Sequence, residues 1–417
     1  MLDYPAMLSE IQDVYLKDSA PWVIGFSGGK DSTAALQMVF YALEALPPGK
    51  LTKAVHVVSN DTLVENPAVV KRLDEQLGKI ADAGKRQLFV HNPDLFNVAK
   101  VTPQLEDRFW VNLIGKGYPS PNRWFRWCTD RLKIYPTNRY LNSTVDQNGS
   151  AVVVLGIRSA ESSTRSAAMK AHGNGDRLYK HSSLPDASVY APIADLSNDE
   201  VWAYLLQCPN PWGSDNRGLL GLYVSASGAG ECPFVIEMGT QSCGKSRFGC
   251  WVCTVVDRDK SMENLVHNGE DWMEELLQFR DWLYSARQQA SQYVPRYLAS
   301  RAKFGPFLLT TRRRMLESLL SMQDHLHVEL IGSDELRYVE ELLRRESAAA
   351  VSEGLMRFVL EFASGKRFAL ISDFNVLLST RERLGPLHLG GAKLLRTRGV
   401  SPEYSRCTRL LYYEVER

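Results

Sequence analysis

Apolar and polar positions along this chain alternate between short β-branched runs and longer amphipathic stretches. Residues 6–17 carry a helical period ahead of the first apolar run, Val23–Phe26, which predicts a strand leading straight into a glycine-rich turn. Thr33–Leu46 has helical spacing and is closed by Pro47-Pro48-Gly49. Lys53–Ser59 predicts a second strand, Pro67–Ala83 a helix and Gln87–His91 a third strand. Thr102–Ile114 and Lys133–Asn142 have helical character. Ala151–Ile157, "AVVVLGI", is continuous, β-branched and followed by a charged loop, the pattern of a central parallel strand. Strands alternating with helices imply an α/β fold, a mostly parallel Rossmann-like sheet flanked by helices.

The pattern then changes. Ser197 is placed to cap a helix through "VWAYLLQ", with Glu200 completing a capping box. Residues 210–254 are rich in Gly, Ser and Cys without a long period, which predicts a functional loop. From about residue 261 the spacing is helical again. This divides the chain into an α/β domain over 1–209, a cysteine-rich segment over 210–260 and a mainly helical region over 261–417.

Composition adds limits. The chain has 417 residues, 44% hydrophobic and 23% charged, as in soluble globular proteins. A formal net charge of +1 gives no bulk preference for nucleic acid or membrane, so any such contact must be local. The first residues lack a basic segment before an apolar one, and no apolar run is long enough to span a bilayer. A cytoplasmic protein with no membrane partner is expected. Seven cysteines in that setting point to thiol, metal or redox use rather than disulfides.

The stretch "FSGGKDST" carries the clearest chemistry. Gly28 and Gly29 let the backbone approach a polyanion, and the amides at the start of a helix attract it. Lys30 can neutralise phosphate, and Ser27, Ser32 and Thr33 can donate hydroxyl hydrogen bonds. Asp31 is the odd member, because a carboxylate repels phosphate, and a bridging Mg²⁺ would resolve the conflict. After the strongest strand, "GIRSAESSTRS" supplies Arg158 and Arg165, suited to bidentate phosphate contact, with Glu161 placed to orient one of them. Asp61, after the second strand, is a candidate for metal or ribose binding, or a turn former.

Cys232, Cys243, Cys250 and Cys253 have the spacing C-x10-C-x6-C-x2-C. Four thiolates so close fit Zn²⁺ or an iron–sulfur cluster equally well on residue types. Cys128 lies in "RWFRWCTDRLKI" among Arg123, Arg126, Arg131 and Lys133, a setting that favours thiolate. Trp124, Phe125 and Trp127 beside it are candidates for base stacking or for core packing. Further basic clusters occur at Arg301–Arg314 and Lys393–Arg409.

"SGGKDS" resembles the S-G-G-x-D-S signature of PP-loop ATP pyrophosphatases, whose fold also serves 3′-phosphoadenylyl-sulfate (PAPS) reductases. "GIRSAES" and "YAPIADLSNDEVWAYL" are similar to PAPS reductase-like segments. Together with "RWCTDRLKI" and "SCGKSRFGCWVCTVV", in that order, they resemble the DndC/SspD family of DNA phosphorothioation sulfurtransferases over about residues 18–285. That resemblance implies ATP, Mg²⁺ and a [4Fe-4S] cluster, the last held by Cys232, Cys243, Cys250 and Cys253. It also implies cleavage between the α and β phosphates and replacement of a non-bridging oxygen of a DNA backbone phosphate by sulfur. The implied partners are DNA, a cysteine desulfurase and other phosphorothioation proteins; a homodimer is compatible with it. Lys30, Asp31 and Arg158 would serve catalysis, and Cys128 would carry persulfide. A competing set has Cys128 as a ligand with Cys243, Cys250 and Cys253. Two other readings are a PAPS or adenylyl-sulfate reductase and a non-catalytic cluster scaffold. The first would need a reactive C-terminal cysteine; Cys407 is the late one, outside the reductase signature and read as structural.

Overall fold

The computed structural model of the chain describes residues 3–159, 178–181, 184–226, 249–293 and 305–363. Its strands are β1 (Trp22–Gly25), β2 (Val55–Asn60), β3 (Phe96–Val101), β4 (Ala151–Leu155), β5 (Leu178–Lys180) and β6 (Ala187–Tyr190). Its longer helices are α1 (Tyr4–Leu16), α2 (Lys30–Glu44), α3 (Pro67–Ala83), α4 (Tyr135–Asn148), α5 (Asn198–Gln207) and α6 (Asn216–Ala226), then α7 (Lys260–His267), α8 (Glu274–Gln288), α9 (Leu309–Leu326) and α10 (Ser333–Ala363). Among the described residues the strands form one sheet in the order β3-β2-β1-β4-β6-β5, parallel except for β5 against β6.

Successive side chains of a strand face opposite sides of the sheet. Trp22 and Ile24 therefore join residues of α1, α2, α3 and α5 in the main core, while Val23 packs with Val58, Val153 and Leu141 of α4 on the other face. Both faces are covered, which explains why β1 and β4 read as unbroken apolar runs. The chain leaves β1 for β2 and β3 on one side and returns to β4 on the other. Strand order thus reverses at β1, and the crevice beyond the carboxyl ends of β1 and β4 is the place where such sheets bind ligands.

Several expected elements are present. α3 spans Pro67–Ala83, and the capping box at Ser197 and Glu200 is formed in both directions. The third strand is a correction. Gln87–His91 falls on and after a π-helical turn, Gly84–Leu88, and the strand that joins the sheet is Phe96–Val101. Leu88 and Phe89 are buried from a turn, so their apolarity reports core contact without pairing. Asn97 and Lys100 interrupt β3 and hide it from a search for apolar runs. Thr102–Ile114 is likewise a 3₁₀ turn at Leu105–Asp107 and a π turn at Val111–Gly115. Helical structure also begins before Lys133, at Trp127, and passes through a π turn at Asp130–Ile134 into α4. Pro136 is tolerated there because it sits in the first turn of α4, where a missing amide hydrogen costs little. α6 lies inside the stretch read as loop. The residues form two compact units, Met1–Glu335 and Leu336–Arg417. Among the described residues no helix is long and apolar enough to cross a membrane.

Glu335 closes the first unit. Its buried carboxyl accepts hydrogen bonds from the amides of Trp110 at 3.0 Å and Val111 at 3.4 Å. Burial pushes its pKa up to about 7, against the opposing pull of Arg108. A carboxyl raised in this way keeps its proton in the native state after the unfolded chain has lost it. Its contribution to stability therefore falls as pH rises from about 4.5 to about 7. Glu335→Gln, which keeps the acceptor oxygen without the ionisation, should remove about 3 kcal/mol of pH dependence across that window. Urea unfolding of both proteins at several pH values measures it, and parallel pH profiles would refute it.

Candidate functional site

The glycine-rich loop sits at the reversal point of the sheet. Gly28 has φ 71°, the left-handed region that favours glycine, and Gly29 caps α2 in extended conformation. Helix α2 begins at Lys30, three residues earlier than the apolar spacing suggested, so Lys30 to Thr33 form its first turn. Ser27 and Ser32 face each other across the loop at 3.1 Å, and the Ser32 hydroxyl donates to the Gly29 carbonyl at 3.0 Å. These two hydroxyls hold the loop's shape in this structure.

Asp31 is balanced by the protein's own cations. Lys30 Nζ lies 2.6 Å from one carboxylate oxygen, and Arg158 Nε, arriving from the loop after β4, lies 2.8 Å from the other. Two cations and one carboxylate leave one net positive charge at the mouth of a helix N-terminus, a combination suited to an anion. Arg158 is thus brought to the loop from 127 residues away.

Four contributors escaped the sequence reading. Gly156 packs on the start of α2 so closely that a Cβ would lie 2.5 Å from the Asp31 carbonyl oxygen. Tyr223 of α6 accepts a hydrogen bond from the Lys30 amide at 3.3 Å. Arg72 of α3 lines a small pocket together with Gly28, Thr33, Gln76, Ser214 and Asp215. Asn216, buried, ties α6 to α2 by donating to Gln37 at 3.1 Å and to α5 by donating to the Leu205 carbonyl at 2.8 Å. Gly156 was visible in the sequence as part of "GIRSAES", but the neighbour it makes room for was not.

Asp61, after β2, accepts from the Leu63 amide at 2.8 Å and pairs with Lys100 at 3.2 Å. Lys100 also holds Asp74 at 2.9 Å. Asp61 is therefore engaged in shaping its turn, where Leu63 takes a left-handed φ of 62°.

The thiols gather at the end of the neighbouring strand. Beyond β2, Glu65 forms an antiparallel bridge with Cys250, and the Trp251 amide donates to Val64 O at 3.0 Å. Cys250 Sγ is 3.3 Å from Thr62 Oγ1, and the Cys253 amide donates to Cys250 O at 3.0 Å. Asn60 donates to the Lys133 carbonyl at 2.8 Å and so docks the Cys128 helical segment on the same strand end. Burial, then Glu65, pushes the Cys250 thiol up to about 12. Cys128 is raised too, by burial and then by Cys253, with Lys133 opposing. For Lys133, burial pulls down but the Cys250 and Glu65 charges outweigh it and raise it.

These shifts correct the expected thiolate at Cys128. Arg123 and Arg126 are exposed, and Arg131 is occupied by Asp107 at 2.9 Å, so desolvation wins. They also show that Cys128, Cys250, Cys253 and Lys133 share one electrostatic neighbourhood. Among the described residues no group of three or more His, Cys, Asp or Glu side chains is closed into a metal shell. Cys232, Cys243, Glu161 and Arg165 lie outside the described residues, as do Cys407 and the basic residues Arg301, Lys303 and Lys393–Arg409.

The C-x2-C turn is fixed from behind by α8. Arg280, fully buried, donates to Cys253 O at 2.8 Å and Asp257 O at 2.8 Å, and also to Val256 O and to Asp281 at 2.6 Å. Arg287 donates to Thr254 O at 2.6 Å and Pro121 O at 2.7 Å. A signal for Arg280 exists in the sequence: it falls on the apolar stripe Leu276, Phe279, Leu283 and Ala286, where a cation must find buried acceptors.

Residues 21–212 match the profile of the phosphoadenosine phosphosulfate reductase domain. Over that stretch, a little under half of its length, the chain is similar to the PAPS reductase domain. The matched stretch holds the Ser27–Thr33 loop, Cys128, Gly156 and Arg158, whereas Cys250, Cys253 and Arg280 lie beyond it. The uncharacterized protein MJ0066 of Methanocaldococcus jannaschii is 26% identical over 238 residues, 57% of this chain; the match spans 41% of that protein. Among solved structures, a PAPS reductase from Candida auris in its phosphate complex is similar, with TM-score 0.32, 14% identity and coverage of 52% of this chain and 85% of its own. The U34-tRNA thiolase NcsA from Methanococcus maripaludis, with its [4Fe-4S] cluster, gives TM-score 0.29, 14% identity and coverage of 68% of this chain and 80% of its own.

Proposed function

We propose that the chain is an ATP-dependent sulfurtransferase acting on a DNA backbone phosphate. The observation that carries this reading is the placement of two loops. The phosphate-type loop leaves the carboxyl end of β1, and the thiol group gathers at the carboxyl end of β2, the adjacent parallel strand. An anion bound at the first loop and sulfur held at the second would meet beyond the carboxyl ends of these two interior strands.

In the proposed reaction a non-bridging oxygen of the acceptor attacks the α-phosphorus of ATP, and pyrophosphate leaves. Hydrosulfide then attacks the acceptor phosphorus, AMP leaves, and the sulfur proton passes to solvent. Lys30 and Arg158 offset the charge that builds on phosphate in the first step, once they exchange Asp31 for the nucleotide. Asp31 then presents the hard oxygen chemistry that Mg²⁺ carried by ATP requires. Cys128, Cys250 and Cys253 have the donor chemistry for an iron–sulfur cluster, with Cys232 or Cys243 as a further ligand. Such a cluster would supply a site for sulfur at the sulfide level. Sulfur from a cysteine desulfurase arrives as a persulfide, which a dithiol reductant would cleave to hydrosulfide while itself becoming a disulfide; the desulfurase and a homodimer are partners in this proposal, and the cytoplasm is its location.

Anaerobically purified protein supplied with ATP and DNA should release pyrophosphate and AMP. Lys30→Ala should lower that rate at least 100-fold, the scale of losing one charge-stabilising donor. Release of ADP and orthophosphate would refute the reading, and sulfite formed from PAPS without ATP turnover would replace it with the reductase.

A further inference from the structure

We infer that the exposed turn Asn122–Phe125 is a stacking platform for an unpaired base of a single-stranded nucleic acid. The inference rests on the proposed nucleic-acid acceptor and adds the form in which it is bound. Trp124 is 88% exposed and its neighbour Phe125 is 43% exposed. Trp127, three residues on, is core: its ring lies 5.4 Å from that of Phe109 and its Nε1–H donates to Pro119 O at 3.0 Å. The same aromatic-rich stretch thus sends one indole inward and one into water.

The exposed rings are held on a rigid mount. Asn122 and Phe125 exchange backbone hydrogen bonds at 3.2 Å in both directions. The Asn122 side-chain oxygen accepts from the Trp124 and Phe125 amides at 2.8 and 2.9 Å. A ligand stacking here would lose little to ordering the loop. Arg123 and Arg126 flank the rings, both exposed, and among the described residues no carboxylate pairs with either. Arg131 and Lys133 of the following segment do have partners, Asp107 and Glu65. Uncompensated guanidinium groups beside an open indole face suit a polyanion that offers π-faces. A duplex hides its base faces in its own stack, so the unpaired form is selected. The platform is joined to Cys128 by a single intervening residue after Arg126, so a bound strand would run past the thiol group.

The test is fluorescence anisotropy with the full chain, a labelled single-stranded oligonucleotide and a duplex of the same sequence. Trp124→Ala should weaken single-strand binding about tenfold, Trp124→Phe should stay within about threefold of wild type, and duplex affinity should change less than about twofold. Arg123→Ala with Arg126→Ala should lower the slope of log affinity against log salt by about 1.4 for single strands. The melting temperature of Trp124→Ala reports that the fold is intact. Unchanged single-strand affinity in Trp124→Ala overturns the platform alone, provided wild type binds the strand. Failure of wild type to bind either nucleic acid overturns both the platform and the DNA acceptor. If Trp124→Ala blocks sulfur delivery from a cysteine desulfurase while single-strand affinity is unchanged, the surface belongs to a protein and the inference falls.

Discussion

Gly156→Ala is expected to remove the proposed nucleotide site. An added Cβ would lie 2.5 Å from the Asp31 carbonyl oxygen and 2.7 Å from both the Asp31 carbonyl carbon and Ser32 Cα. All three are main-chain atoms in the first turn of α2, so no side-chain rotation can relieve the overlap. Either the loop after β4 withdraws, taking Arg158 from Asp31, or the start of α2 moves and carries Lys30 with it. A shift of about 1 Å in such a constellation costs on the order of 100-fold in rate, and overpacking costs about 1–3 kcal/mol in stability. Calorimetric ATP titration and pyrophosphate release should both fall steeply, with a smaller drop in melting temperature. A variant that binds and turns over ATP like wild type would show that the contact between these loops does not shape the site.

Arg280→Met should loosen the cysteine turn. The guanidinium is 0% exposed and satisfies the carbonyls of Cys253, Val256 and Asp257 at once. Methionine has similar length and no donors, so three acceptors would be left without their partner, and Asp281, half-exposed, would turn to solvent. Removing one member of a buried charged network costs about 3–5 kcal/mol. Denaturant unfolding measures that loss. A second readout separates local from global effects: alkylation of Cys253 in the native protein should accelerate at least about tenfold relative to Cys128, because its carbonyl no longer anchors the turn. Arg280→Lys, with one ammonium in place of a fork, should recover only part of the loss. Unchanged stability together with unchanged alkylation would refute the role.

Where apolar side chains met their neighbours in sequence order, they were legible. The runs around β1, β2 and β4 are fully sandwiched strands, and their continuity is the direct consequence of burial on both faces. α3 was bounded by Asn66 and Pro67, a side-chain cap followed by a proline that starts a helix. β3 was not legible, because it lies at the sheet edge, where Asn97 and Lys100 can face outward, while Leu88 and Phe89 were buried by a turn. α6 was also missed: its glycines Gly218 and Gly221 suggest a loop, and it is held as a helix by Asp215 on its first amides and by Asn216 against α2. The basic residues around Cys128 suggested a thiolate; the fold turned two of them to water and paired a third, leaving burial to set the thiol.

By itself the sequence determined features whose partners lie within a few residues. These are the freedom of Gly28 and Gly29 to turn the chain after β1, the helix start at Pro67 and the capping box of Ser197 and Glu200. Each is a short-range matter of backbone freedom and local hydrogen bonding. Only the tertiary structure decided what those features face. The strand order placed Arg158 on Asp31 across 127 residues, Tyr223 on Lys30 across 193, and Cys250 beside Thr62 across 188. No local spacing encodes such pairs, because they follow from which strand lies beside which and from the face that each helix buries.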